Sequence, residues 1–155
     1  MFSRCSIGAP PEVIGLAERE KGPKFRQVVL DCTDARALAE FYRRLLVWDY
    51  RPGDEAPPSG AGDKDWLVLR NPDGGAQLAF QQVDRLEEAS WPDPEPVPQQ
   101  VHLDLTVDSV EELEEQHSRV LELGGRLRYD RSEDPEEPLR VYADPAGHPF
   151  CVFVA

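Results

Sequence analysis

Polar side chains at alternate positions of otherwise apolar stretches are the groups in this sequence best placed to do chemistry. In QVVLDC, Gln27 and Asp31 share one parity while Val28, Leu30 and Cys32 share the other; in VHLDLTV, His102, Asp104 and Thr106 alternate with Leu103, Leu105 and Val107. Side chains alternate across a strand, so each stretch has an apolar face to bury and a polar face to offer a ligand. Asp31 and Asp104 on that face are candidate general bases if burial raises their proton affinity, and ligand-anchoring carboxylates otherwise. His102 is either a site residue of the same face or a structural histidine bonded to Asp104. Trp48, Tyr50 and Trp66 lie in short strand candidates and suit either the aromatic walls of a cleft or plain core packing. His117 reads as a boundary residue of a helix, and His148 as a turn residue or the rim of a pocket.

The elements that must position these groups recur. The stretch FRQVVLDC stops at Thr33-Asp34, a helix N-cap, and Leu38, Phe41, Tyr42 and Leu45 then make one apolar helical stripe. Short strands are expected at Trp48–Arg51 and Trp66–Arg70, then a turn at Asn71-Pro72-Asp73-Gly74 and the strand AQLAFQQV. After a Pro-rich connector at 84–99 the order returns. VHLDLTV leads to a helix from Val110 that Gly124-Gly125 stops, followed by RLRYD, LRVYA, the turn Asp144-Pro145-Ala146-Gly147 and PFCVFVA. Gln27 and His102 lie 75 positions apart, and the turn prolines Pro72 and Pro145 lie 73 apart. Two near-equal offsets either side of a connector indicate an internal duplication of a βαβββ unit, at 25–83 and 100–155. Residues 1–24 read as a loosely attached tail.

Composition narrows the function. The 155 residues carry 17 Lys and Arg against 30 Asp and Glu, a net charge of −13, which disfavours nucleic acid and anionic membrane surfaces as partners. No apolar run approaches a membrane span and no apolar leader follows the start, so a cytoplasmic protein is expected. Cys5, Cys32 and Cys151 have no metal-finger spacing and read as free thiols. Glycine-rich phosphate loops, serine-nucleophile motifs and HExxH are absent from the sequence.

The tandem βαβββ order, LDCTDARALAEFYRRLLVW, HLDLTV and the closing DPAGHPFCVF together resemble the vicinal oxygen chelate superfamily, in its glyoxalase-like, bleomycin-resistance-related branch. The resemblance covers residues 25–155. It implies an α+β fold in which the tandem modules form a curved mixed sheet with helices outside and a polar-lined concavity within. It also implies a small-molecule ligand and a homodimer, and it leaves two functions open. One is a metal-assisted lyase or isomerase; the other is a non-catalytic protein that sequesters a cationic or aromatic compound.

In catalytic members one divalent metal ion is held by a first-strand residue and a last-strand carboxylate from each module. Gln27 and His102 stand at the first-strand positions, where oxygen donors suit Mg, Mn, Fe or Ni and imidazole suits Fe, Ni or Zn. At the last-strand positions stand Cys151 and either Ala79, if Gly75 is an insertion, or Leu78; none is a carboxylate. Gln81, on the same face as Ala79, replaces it only through a shift of register. Cys151 is then a soft-ion ligand in a Gln/His/Cys set or a small buried hydrophobe. The ligand-lining set expected on this basis is Gln27, Trp48, Trp66, Gln81, His102 and Cys151, with Asp31 and Asp104 as acid–base groups.

Overall fold

Helix α1 (Ala35–Leu46) forms where the sequence places it, because Asp34 accepts a 2.9 Å bond from the Ala37 amide at its start. Leu38, Phe41, Tyr42 and Leu45 are buried along one stripe, and Val47, in the left-handed region at φ 56°, ends the helix. The computed structural model describes residues 22–58, 64–94 and 96–155. Most of the tail at 1–24, including Cys5, therefore lies outside the described residues.

The first unit contains β1 (Gln27–Cys32), α1, β2 (Asp49–Tyr50), β3 (Trp66–Arg70) and β4 (Gln77–Gln82). The second contains β5 (Leu103–Val107), α2 (Val110–Glu122), β6 (Arg126–Arg131), β7 (Leu139–Ala143) and β8 (Pro149–Val154). Each makes a mixed four-stranded sheet, in the orders β1-β4-β3-β2 and β5-β8-β7-β6, with the first strand parallel to the last. The expected α+β fold is thus realised as two four-stranded halves. Among the described residues no helix is long and apolar enough to cross a membrane.

One apolar core serves both units. Leu30, Leu67, Leu69, Leu78 and Phe80 meet the α1 stripe, and Phe150, Val152 and Tyr142 meet Leu113 and Val120 of α2. Aromatic contacts join the halves: Phe41 and Tyr42 of α1 meet Phe150 edge-on at 5.9 and 6.3 Å, Tyr42 being stacked on Phe80 within the first unit and Phe150 on Tyr142 within the second. A polar tie crosses beside them. The buried Tyr42 hydroxyl donates to buried Asp144 at 2.8 Å, and Asp144 also accepts from the amides of Ala146 and His148.

The connector does not stand free of the second unit. Glu88 pairs with Arg126 and Arg128 of the β6 region, and Ser90 exchanges bonds with Val97 across a short loop. This draws Trp91 over the second sheet.

Two of the aromatic residues read as either cleft walls or core packing, Trp48 of the expected ligand set among them, take the core side. Tyr50 is in register with Leu69, a core residue, and its hydroxyl donates to Glu40 of α1 at 2.8 Å. Trp48 has the same parity and packs against the core, beside Arg43, Arg44 and Arg119. The two-residue strand β2 turns this parity toward the helix layer.

Candidate functional site

Among the described residues the second unit gathers donor atoms where the first does not. His102 immediately precedes β5, Asp104 lies on it, and Asp104 is in register with Cys151 of the neighbouring strand β8. Donor atoms of these three residues all lie within 4.8 Å of one another, with 3.4 Å between His102 Nε2 and Asp104 Oδ1. The other ring nitrogen of His102, Nδ1, stands 3.2 Å from Gln99 Oε1. Burial pushes the Cys151 thiol up to about 11, helped by the charge of Asp104 and a hydrogen bond to it, so it is a protonated donor at neutral pH.

Cross-strand register carries the same face outward. Cys151 is opposite Val141, which is opposite Tyr129; Phe153 is opposite Leu139, which is opposite Arg131. These side chains line a recess of about 370 Å³. Trp91 also lines it, its ring 5.2 Å from that of His102 and within 9° of parallel. Arg131 is engaged by Asp134 and Glu137, and no lysine or arginine pairs with Asp104 among the described residues.

The first unit presents a different face. Asp31, Gln81 and Trp66 form one row across β1, β4 and β3, and Gln27 stands opposite Gln77. Between these rows Val29, Ala79 and Val68 make an apolar row. Ala79 therefore occupies the ligand face, while Leu78 belongs to the core. Asp31 lines a second recess of about 360 Å³ with Val29, Leu86, Val101 and His148, so the two candidate acids occupy different recesses. His148 is set there by Asp144, whose carboxylate lies 3.0 Å from its Nδ1. His117 meets the Tyr142 hydroxyl at 3.0 Å and is a boundary residue of α2.

The structure thus brings His102, Asp104 and Cys151 together, groups Asp31, Gln81 and Trp66 in a separate row, and leaves Trp48 on the helix side. Trp91, Tyr129 and Gln99 are additions. The one advance signal was a lone tryptophan inside a proline-rich connector.

A sequence profile described as a glyoxalase-like domain matches residues 27–153. No curated protein matches the sequence. Among solved structures, a glyoxalase/bleomycin resistance protein/dioxygenase family enzyme from Burkholderia phytofirmans is similar at 15% identity and TM-score 0.62, covering 85% of this chain and 98% of that one. The fosfomycin resistance protein FosX from Mesorhizobium loti is similar at 14% identity and TM-score 0.59, covering 88% and 94%. A FosX variant from Listeria monocytogenes, complexed with Mn(II) and 1S,2S-dihydroxypropylphosphonic acid, is similar at 15% identity and TM-score 0.62, covering 87% and 94%. At these identities the likeness is one of fold.

Proposed function

Because the chain belongs to the glyoxalase-like domain family, we propose that it binds a small molecule in the Trp91-lined recess of its second unit. The ligand class is a planar aromatic compound carrying a hydroxyl or amine donor. One observation carries this reading: Trp91 is stacked on His102 in a recess it shares with Asp104, a carboxylate with no arginine or lysine partner among the described residues. A ring gains contact with Trp91, Tyr129 and Phe153, while its donor reaches Asp104. Leu139 and Val141 supply apolar area to be removed from water on binding.

The metal chemistry that the resemblance implies does not fit the corresponding positions. They hold Gln27, Ala79, His102 and Cys151, of which Ala79 has no donor and Cys151 is a buried thiol in place of a carboxylate. A hard ion held between the two units would lose both of its expected carboxylate ligands. No lyase or isomerase step is therefore derived through such an ion. The residues present bind and orient a ligand and accept its hydrogen bond at Asp104, which favours sequestration over turnover.

Calorimetric titration of metal-free protein with 2-naphthol tests the proposal. Trp91→Ala is expected to weaken binding about 3- to 10-fold through lost stacking, before any lost area is added. Asp104→Ala is expected to weaken it at least tenfold, because a hydrogen bond to a charged acceptor is worth about 1.5–3 kcal/mol. Equal affinity in wild type and both variants would sink the assignment of this recess.

A further inference from the structure

We propose that His102, Asp104 and Cys151 form a zinc-class metal site contained within the second unit, in place of one shared between the units. The duplication shows the asymmetry directly. Register pairs Asp104 with Cys151 in the second unit and Val29 with Ala79 at the equivalent place in the first. One unit has three donors of three kinds; its copy has an amide at Gln27 and two hydrocarbon side chains.

Geometry supports closure around an ion. Bond lengths of about 2.0–2.1 Å to nitrogen or oxygen and 2.3 Å to sulfur place tetrahedral ligands roughly 3.3–3.6 Å apart. His102 Nε2 and Asp104 Oδ1 already stand at 3.4 Å, and no pair of the three donors exceeds 4.8 Å. Bringing the set together asks for about 1.3 Å of side-chain movement at most.

The imidazole is also oriented for the task. With Gln99 Oε1 accepting from Nδ1–H, Nε2 turns its lone pair toward the Asp104 carboxylate. In that tautomer the lone pair and the carboxylate oxygen, 3.4 Å apart, can share either a proton or a metal ion. Ligating histidines regularly donate their other N–H to a carbonyl in this way. An imidazole, a carboxylate and a thiolate suit zinc or cobalt better than magnesium or manganese, and three protein ligands leave a fourth position toward the recess. On binding, the Cys151 S–H bond breaks, its proton passes to solvent and the sulfur–metal bond forms; nothing is oxidised or reduced.

The test uses the full chain without a histidine tag, stripped with chelator and titrated with Co(II) alone, then with Zn(II) in competition. Wild-type protein is expected to develop the near-ultraviolet thiolate-to-cobalt charge-transfer absorption, which one equivalent of zinc removes. Cys151→Ser should lose that band, His102→Ala should lose tight binding, and Gln99→Leu should weaken zinc binding about 10-fold or more. Gln27→Ala should change nothing. Asp104→Asn, at an exposed position, gives a second ligand variant if Cys151→Ser melts early. The proposal is overturned if folded wild type shows no band, as a trio joined only by a proton would, or if Cys151→Ser keeps it. It is equally overturned if Gln27→Ala abolishes the band, since the metal would then span both units. The inference stands on the donors and not on the aromatic-ligand reading: cobalt spectra are taken without ligand and the naphthol titration without metal, so either can fail alone.

Discussion

Replacing Tyr42 with phenylalanine removes one oxygen from the interior and should loosen the junction between the two units. Tyr42 and Asp144 are both 0% exposed, so water cannot replace the 2.8 Å bond once the hydroxyl is gone. Burial, with the charge of Asp144 and the bond to it, holds the Tyr42 hydroxyl well above its ordinary range, keeping it a donor. A bond of this kind to a charged acceptor is worth about 1.5–3 kcal/mol. Asp144 keeps the Ala146 and His148 amides and the His148 ring, so about 2 kcal/mol is the reasonable figure. An unfolding entropy of about 2.1 cal/mol/K per residue over roughly 130 residues gives about 0.27 kcal/mol per degree, hence a fall in Tm of about 7 °C. Differential scanning calorimetry of Tyr42→Phe beside Tyr142→Phe is the assay. The Tyr142 hydroxyl meets half-buried His117, and an ordinary bond of roughly 1 kcal/mol implies about half the fall. A loss under about 2 °C for Tyr42→Phe, or the reverse ranking, would refute the claim that this buried bond braces the junction.

Three further perturbations have defined outcomes. Burial, with the charges of Asp144, Asp34 and Asp31, raises the Cys32 thiol to about 11 from 9.0, so the stability tied to its proton is full below about 9 and is lost as pH rises through about 11; the Tm gap between wild type and Cys32→Ala should shrink over that window. Burial opposes ionisation of Asp130, but bonds from Ser132 and Arg140 outweigh it and hold the carboxyl at about 2, against 3.8 ordinarily. Its contribution is therefore present above about 3.8 and lost as pH falls toward 2, and Ser132→Ala should shift the acid-unfolding midpoint upward in a circular-dichroism titration. Gly147 has φ +97° and an added Cβ would collide with the Glu88 side chain, so Gly147→Ala should lower stability by about 1–3 kcal/mol in a urea melt; an unchanged midpoint would mean the connector is not seated there.

Much of the fold was legible because its signals are local. The α1 stripe from Leu38 to Leu45, the Asp34 cap and the alternation in QVVLDC and VHLDLTV each lie within a dozen residues and are realised as α1, β1 and β5. Alternation likewise put His102 and Asp104 on one face. Parity faced Asp31 and Asp104 away from the apolar faces but could not say whether they meet; register makes Val29 the counterpart of Asp104, and Asp31 lines another recess. Trp48 was illegible for a related reason: a strand of two residues is too short for parity to reveal which layer it meets. Trp91 offered only its place in the proline-rich connector, which says nothing of where it packs. Its role arises when Glu88 meets Arg126 and Arg128, about 40 positions away, and folds the connector back over the sheet.

The most direct test of the central claim maps where a ligand sits. Amide chemical-shift perturbations of isotope-labelled, metal-free protein titrated with 2-naphthol are expected to cluster at Trp91, His102, Asp104, Tyr129 and Cys151. Shifts confined to Asp31, Val101 and His148 would place binding in the other recess and contradict the account, as would saturation with no shifts around Trp91.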